Sequence, residues 1–295
     1  MANSEIEIDY KDRDFCKEIF PLLEESDAKR IDFILDWTWV LYPKANEYLK
    51  ELERAYRQKK SIRMRGALLI GPPAIGKTSL IQEFIDQNTD LSDKSKRWDF
   101  LYVEAPEKPS IKALYLEILS RCNINAIWGT AEQLKQRVIR SLGDLDVKML
   151  FIDEIHNLLT AQSERVLTQC RNALKGLSNR LQIPIILIGT ELAKEVIEGD
   201  PQVRNRYPIF ELTPWENDED FESLLYTLES RLPLRKASNI FVTPIREKIH
   251  EISYGILGNV AIIVKESAIE AIETGKEKIT LGIIEKLRKL GLFQF

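Results

Sequence analysis

Cysteine and histidine are scarce in this chain, with three of the first and two of the second in 295 residues. Cys16, Cys122 and Cys170 lie far apart and form no C-x-x-C pair. That argues against a disulfide framework and a thiolate zinc site, and fits a reducing cytosol. His156 and His250 are remote from each other in sequence, so metal binding by histidine is not supported either. No apolar run approaches the length of a membrane span. The start, MANSEIEIDYKDRDF, is acidic and polar and does not read as a signal peptide. Excess positive charge is also missing: the net charge is -4, so any nucleic-acid contact must come from a local patch. There is no internal repeat and no low-complexity linker. What remains is the expectation of a soluble, cytoplasmic chain with no membrane partner. Its make-up is ordinary, 44% hydrophobic and 30% charged. Its length suits one large domain or two smaller ones.

From about Asp12 to Gln58 the pattern is helical. Ile31, Ile34, Leu35, Trp37 and Val40 suggest an apolar face, which Pro43 interrupts. Trp37 and Trp39 either stack on bases or pack this arm onto the body, and helical spacing favours packing. The pattern then changes to short apolar runs: ALLI (67–70), FLYVEA (100–105), KMLFID (148–153), PIILIG (184–189) and a weaker YPIFEL (207–212). Between them lie helix candidates near 77–87, 110–122, 130–143 and 163–180. Apolar runs bounded by helices read as buried parallel strands, so the class is α/β with a doubly wound parallel sheet. Beyond Pro214 only helical patterns follow, near 216–231, 244–253, 259–273 and 281–290. The expected organisation is an N-terminal helical arm (1–60), an α/β core (61–214) and a small all-α C-terminal domain (215–295).

The stretch GPPAIGKTS, Gly71 to Ser79, fits G-x-x-x-x-G-K-[ST] and lies between a predicted strand and a predicted helix. In that setting, backbone N–H groups and the positive helix end surround phosphate oxygens. Gly71 and Gly76 permit the tight turn. Pro72 and Pro73 stiffen the loop but supply no N–H, so Ala74, Ile75, Gly76, Lys77 and Thr78, with Ser79 beyond, carry the contacts. Lys77 is expected to reach the β- and γ-phosphates of ATP, and Thr78 to hold Mg²⁺. A second element, KMLFIDEIHNLL, ends a buried strand in Asp153 and Glu154. Ligands in open α/β sheets bind at the carboxyl ends of strands. Asp153 then helps hold Mg²⁺, and Glu154 polarises the attacking water. The alternative is a solvated acidic pair capping the next helix. His156 either turns toward the site or a neighbour, or is a helix-surface or satisfied polar residue, and the second reading is favoured. Thr190 ends the next strand; its hydroxyl either bonds the attacking water or γ-phosphate, or caps the helix ELAKEVIEG. In the loop DPQVRNRYP, Arg204 and Arg206 either form local salt bridges or reach the phosphate of a neighbouring subunit.

Between Arg54 and Arg65 lie Arg57, Lys59, Lys60 and Arg63, with no acidic residue in the run. Such a cluster either neutralises DNA phosphates or forms a solvated helix end. Lys94, Lys96 and Arg97 form a second candidate, in a polar loop. Arg165, Arg171, Lys175 and Arg180 read as the solvated face of one helix. Nothing here reads base edges.

The order of these elements resembles the AAA+ ATPases: a Walker A loop, a hhhhDE Walker B strand, a polar residue ending the next strand, arginines, and helices after them. The resemblance covers about residues 60–275. It implies that Thr190 is sensor 1, that Arg206 is the arginine finger with Arg204 as the alternate, and that the C-terminal helices are a lid. RMRGALLIGPPAIGKTS, MLFIDEIHNLL, LKGLSNRLQIPIILIGT, DPQVRNRYPIFELTPW and LESRLPLRKASNI together look like the TniB/TnsC type. These are ATP-dependent regulators of transposition by DDE transposases, similar in role to phage MuB. The resemblance implies double-stranded DNA, a DDE-type transposase and a TniQ-like targeting protein as partners, with self-assembly into a ring or helical filament. It also implies that channel-lining loops touch DNA, which suits Lys94, Lys96 and Arg97. One departure stands out: YGILGNVAIIVKES has Asn259 and no arginine where AAA+ lids carry sensor 2, with Lys265 about two turns on. That points to slow turnover. The competing expectations are a helicase-loader-like motor with continuous ATPase, and an interaction module with a purely structural nucleotide.

Overall fold

The computed structural model describes residues 19–36, 42–89, 98–107, 110–125, 128–159 and 164–295. Cys16, Trp37, Trp39, Lys94, Lys96 and Arg97 lie outside them. A 3-10 turn (Phe20–Glu24) leads to α1 (Asp27–Asp36) and α2 (Pro43–Tyr56). Then come β1 (Ala67–Ile70), α3 (Lys77–Asn88), β2 (Phe100–Glu104), α4 (Ile111–Arg121), α5 (Ala131–Asp144) and β3 (Met149–Asp153). After these follow α6 (Glu164–Leu181), β4 (Ile185–Gly189), α7 (Lys194–Glu198), α8 (Pro201–Arg204) and β5 (Ile209–Glu211). The chain closes with α9 (Glu219–Glu229), α10 (Ile245–Ser253), α11 (Leu257–Glu273) and α12 (Leu281–Lys289). Among the described residues no helix is long and apolar enough to cross a membrane.

Two compact units result, one of Pro43–Thr213 and the other of Met1–Tyr42 with Pro214–Phe295. The arm expected over 1–60 is thus divided: α1 packs against α11, and α2 packs against α3. Pro43 does not interrupt a helix. It opens α2, at a position where the missing N–H has no helical partner to lose.

The α/β unit is built on a five-stranded sheet in the order β2-β3-β4-β1-β5, with every pair parallel. β1, β3 and β4 are buried along their whole length because helices cover both faces. Leu68, Ile70, Leu150, Ile152 and Leu187 face one side, with Leu114, Ile118, Val138 and Leu174 of α4–α6. Residues of opposite parity face the other side, where Phe151 and Phe100 meet Phe84 of α3 at 6.0 and 5.5 Å between ring centres. Tyr56 of α2 completes that cluster and donates to Asp99. Burial and that carboxylate push its phenol up to about 12. The helices start where side chains can satisfy free N–H groups. Ser110 caps α4, and Thr130 with Gln133 forms a capping box on α5. DPQVRNRYP is not all loop: Asp200 accepts from Gln202 N–H at 2.8 Å and starts α8.

Among its described residues the other unit has helices and no strand. Ile34, Phe221, Leu225, Ile249, Val260, Ile263, Val264 and Ile284 are buried in it. At one point a charge is buried too. Arg30 on α1 is inaccessible and donates to both oxygens of Glu277, each at 2.8 Å.

Candidate nucleotide site at the carboxyl end of the sheet

The strand order decides what meets. β1 lies beside β4 with Ile70 opposite Gly189, and β4 lies beside β3 with Leu187 opposite Ile152. The residues that follow these strands therefore share one end of the sheet: the Gly71 loop, Thr190, and Asp153 with Glu154. In the loop, Gly76 stands at the N-cap of α3 with φ +99°, a left-handed conformation that disfavours a side chain. Ala74 is also left-handed, at φ +58°. Ile75 sends its side chain into the interior, so only its backbone can meet a ligand, whereas Thr78 and Ser79 are exposed.

Lys77 folds back over the loop, donating to the carbonyls of Gly71 at 2.8 Å and Pro72 at 2.9 Å. Burial lowers its pKa, opposed by the charges of Glu154 and Asp153. The ammonium thus covers the carbonyl side of the loop, from which a phosphate can draw it.

Asp153 is almost fully satisfied. Its Oδ2 accepts Thr78 Oγ1–H at 2.8 Å and the Tyr102 hydroxyl, and its Oδ1 accepts the Glu154 N–H at 2.7 Å. Burial, then the Asp153 hydrogen bond, raise the Tyr102 pKa far above the ordinary phenol value. Sequence reasoning missed Tyr102. It sits opposite Phe151 in the β2–β3 register, on the same face as Asp153 two residues on, but that register is invisible in either segment alone.

Glu154 turns the chain, with φ +52°, into a 3-10 turn (Ile155–Leu159). The acidic pair is therefore not a solvated cap: Asp153 is buried and Glu154 faces the His156 ring, with Nε2 3.2 Å from its Oε2. His156 is a satisfied polar residue turned toward this end of the sheet, and its Nδ1 accepts the Thr190 N–H at 3.4 Å. The Thr190 hydroxyl caps nothing; it is buried and has no partner among the described residues.

The donor set suits magnesium and a polyphosphate. Thr78 and Asp153 offer hard oxygen donors already side by side, and the unpartnered Thr190 hydroxyl supplies a further polar contact at the same sheet end.

A family profile described as "Bacterial TniB protein" matches residues 30–217. The chain belongs to the TniB family. No curated protein matches its sequence. Among solved structures it is similar to Cdc6p from Pyrobaculum aerophilum, with a TM-score of 0.63 at 20% identity, over 92% of this chain and 72% of that one. It is also similar to the Orc1 protein of Aeropyrum pernix in complex with DNA (TM-score 0.55, 16% identity, 90% and 70% of the two chains). Drosophila ORC bound to DNA gives 0.57 at 12% identity, over 90% and 66%. At these identities the likeness is one of fold, and the fold is that of the AAA+ ATPases with a helical C-terminal region.

The remaining candidates of this TniB-family chain lie elsewhere. Arg206 is at the amino end of the sheet, where its carbonyl accepts the N–H of Gly66, just before β1. Its guanidinium donates to Asn179 of α6 at 2.8 Å, and it makes no ion pair among the described residues. Arg204 is exposed at the end of α8. The basic run is only partly free: Arg54 and Arg57 pair with Glu51 and Glu53, one turn back on α2. Lys59, Lys60, Arg63 and Arg65 are exposed in the α2–β1 loop, which Gln58 pins through both its amide atoms to Arg65. Arg171 is not on a solvated face. It is buried and donates to the carbonyls of Val196 and Glu195 on α7, at 3.1 and 2.8 Å, while Lys175 pairs with Asp200. In the helical unit Asn259 donates to the Ser253 carbonyl at 3.2 Å, tying α11 to the end of α10. Lys265 has its pKa lowered by burial, against the charges of Asp36 and Glu266.

Proposed function

We propose that this chain is an ATP-dependent regulator of DNA transposition that assembles on DNA and comes apart on hydrolysis. The observation that carries the reading is the division of its candidate residues between the two ends of one sheet. The phosphate loop, Asp153, Glu154 and Thr190 share the carboxyl end; Arg206 is beside Gly66 at the amino end. From Gly66 to Gly71 the strand rise amounts to about 16 Å. Arg206 thus serves the phosphate loop of a neighbouring copy rather than its own. Nucleotide state and assembly then become one variable.

In each shared site Lys77 exchanges the loop carbonyls for phosphate oxygens, and the loop N–H groups bind the rest. Thr78 and Asp153 would hold magnesium, and its positive charge would be supplied beside the phosphates. Glu154 orients a water and takes its proton as the water oxygen bonds to the γ-phosphorus. The bond from that phosphorus to the bridging oxygen breaks, leaving ADP and inorganic phosphate. The partner's Arg206 stabilises the charge. Slow turnover fits Asn259, whose amide is engaged with the Ser253 carbonyl.

DNA is met through phosphates, by Lys59, Lys60, Arg63 and Arg65 in the exposed loop, and by Lys94, Lys96 and Arg97. The assembled ring or filament recruits a DDE-type transposase and a TniQ-like targeting protein. Co-sedimentation with double-stranded DNA in ATP, ADP and a non-hydrolysable analogue tests the switch: ATP and the analogue should drive binding, and equal binding in all three would sink it. Fast, DNA-stimulated turnover with unwinding would instead favour a helicase-loader-like motor.

A further inference from the structure

His156 stands between two parts of the candidate site. Its Nε2 faces Oε2 of Glu154 at 3.2 Å, and its Nδ1 faces the backbone N–H of Thr190 at 3.4 Å. A neutral imidazole has one N–H and one bare nitrogen. Nδ1 meets a donor that cannot reverse, so it must be the bare one. The proton is then on Nε2, and Nε2 donates to Glu154. The ring is 17% accessible. Gly189, the last residue of β4, makes room for it: a Cβ there would lie 3.2 Å from Nδ1 and 2.9 Å from the Ala193 Cβ. The charge of Glu154 also acts on the Lys77 ammonium, which relates the same carboxylate to the phosphate loop. The Thr190 hydroxyl, on the residue whose N–H the ring accepts, has no partner among the described residues.

We propose that His156 is a positioning residue. Its Nε2–H tautomer, set by the Thr190 N–H, holds the Glu154 carboxylate so that the end of β4 and the base move together. A shift of β4 on meeting the γ-phosphate is then passed to Glu154 through one ring. The proposal rests on the ATPase reading above. In this role His156 touches neither nucleotide nor water and acts only through Glu154.

The test combines kinetics with a spectrum. His156→Ala should lower kcat by about 10- to 100-fold, the scale on which a misplaced catalytic group loses rate, with nucleotide Kd changed less than about twofold. His156→Gln should recover kcat to within about threefold, because its amide oxygen can accept from Thr190 and its amide N–H can donate to Glu154. In the nucleotide-free wild type, ¹⁵N-imidazole spectra should show the Nε2–H tautomer for His156, assigned by its loss in His156→Gln. His250, whose Nε2 is 2.9 Å from the Trp215 carbonyl, supplies an internal reference for that tautomer. An Nδ1–H tautomer overturns the proposal, whether or not the Ala variant folds. So does a wild type that hydrolyses ATP beside a folded His156→Ala of equal kcat. A wild type that hydrolyses nothing on DNA overturns the ATPase reading, and the role of His156 with it.

Discussion

Arg30→Met should unsettle the helical unit by removing one side of a buried ion pair. The arginine is inaccessible, and Glu277 has 6% of its side chain exposed. Without the guanidinium, Glu277 keeps, among the described residues, Arg235, through its backbone N–H at 3.1 Å and its guanidinium at 3.2 Å. The Pro233 carbonyl, which accepts from Arg30 at 2.9 Å, loses a donor as well. Stranding a buried charge costs about 3–5 kcal/mol, and the remaining Arg235 contacts reduce this to about 2–4 kcal/mol. At roughly 4 °C per kcal/mol that is a fall of about 8–16 °C in the melting of this unit. Circular-dichroism melts at neutral pH measure it, and hydrogen exchange in α1 and α11 assigns it to the unit. The double variant Arg30→Met with Glu277→Met should recover most of the loss, since an apolar pair replaces an ionic one. Acid acts on the same ion pair. Burial raises the Glu277 pKa, but the Arg30 hydrogen bond, the Arg235 N–H and both positive charges outweigh it, so the net shift is downward from 4.5. A depressed carboxylate contributes stability above its unfolded pKa and loses it as pH falls through the folded value. The gap between wild type and Arg30→Met should therefore narrow below about pH 4. A loss under about 0.5 kcal/mol, or a double variant no better than the single, would refute the reasoning.

Three further outcomes follow from the candidate site. Glu154→Gln should lower hydrolysis by about 10²- to 10⁴-fold while ATP binding persists, so that complexes on DNA outlive those of the wild type in sedimentation. Arg206→Ala should lose about 10³-fold in assembly-dependent hydrolysis, yet mixing it with Glu154→Gln should restore activity, because mixed interfaces pair one intact Glu154 with one intact Arg206; a mixture as inactive as its parts would place both residues in one chain's site. Tyr102→Phe removes a hydrogen bond to a buried carboxylate and should cost about 1–2 kcal/mol in urea unfolding of the nucleotide-free protein.

How far such a site can be read from sequence depends on what holds each residue. The phosphate loop is legible because its constraint is local: a strand, a left-handed Gly76 and a helix start lie within ten residues of one another. The central strands are legible because burial on both faces makes them continuously apolar. Arg171 misleads for the opposite reason. Its spacing on α6 marks a polar face, but α7 covers that face and turns two backbone carbonyls toward it, and a guanidinium is what satisfies them. α7 falls within ELAKEVIEG, which reads as a helix, but at five residues it carries too little periodicity to show which neighbour it covers. Pro43 misleads too, since a proline looks the same whether it ends one helix or opens the next, and only the flanking contacts decide. Tyr102 and His156 are the instructive pair. Each acts on its carboxylate across a boundary between elements: Tyr102 through the register of β2 on β3, His156 through the turn that Glu154 makes at φ +52°. That turn costs a non-glycine residue of order 1 kcal/mol. In its place the Glu154 N–H reaches Asp153, and its carboxylate reaches an imidazole tied to β4. A left-handed residue in mid-motif is thus what brings the two acidic side chains under separate control, Asp153 by Thr78 and Tyr102, and Glu154 by His156.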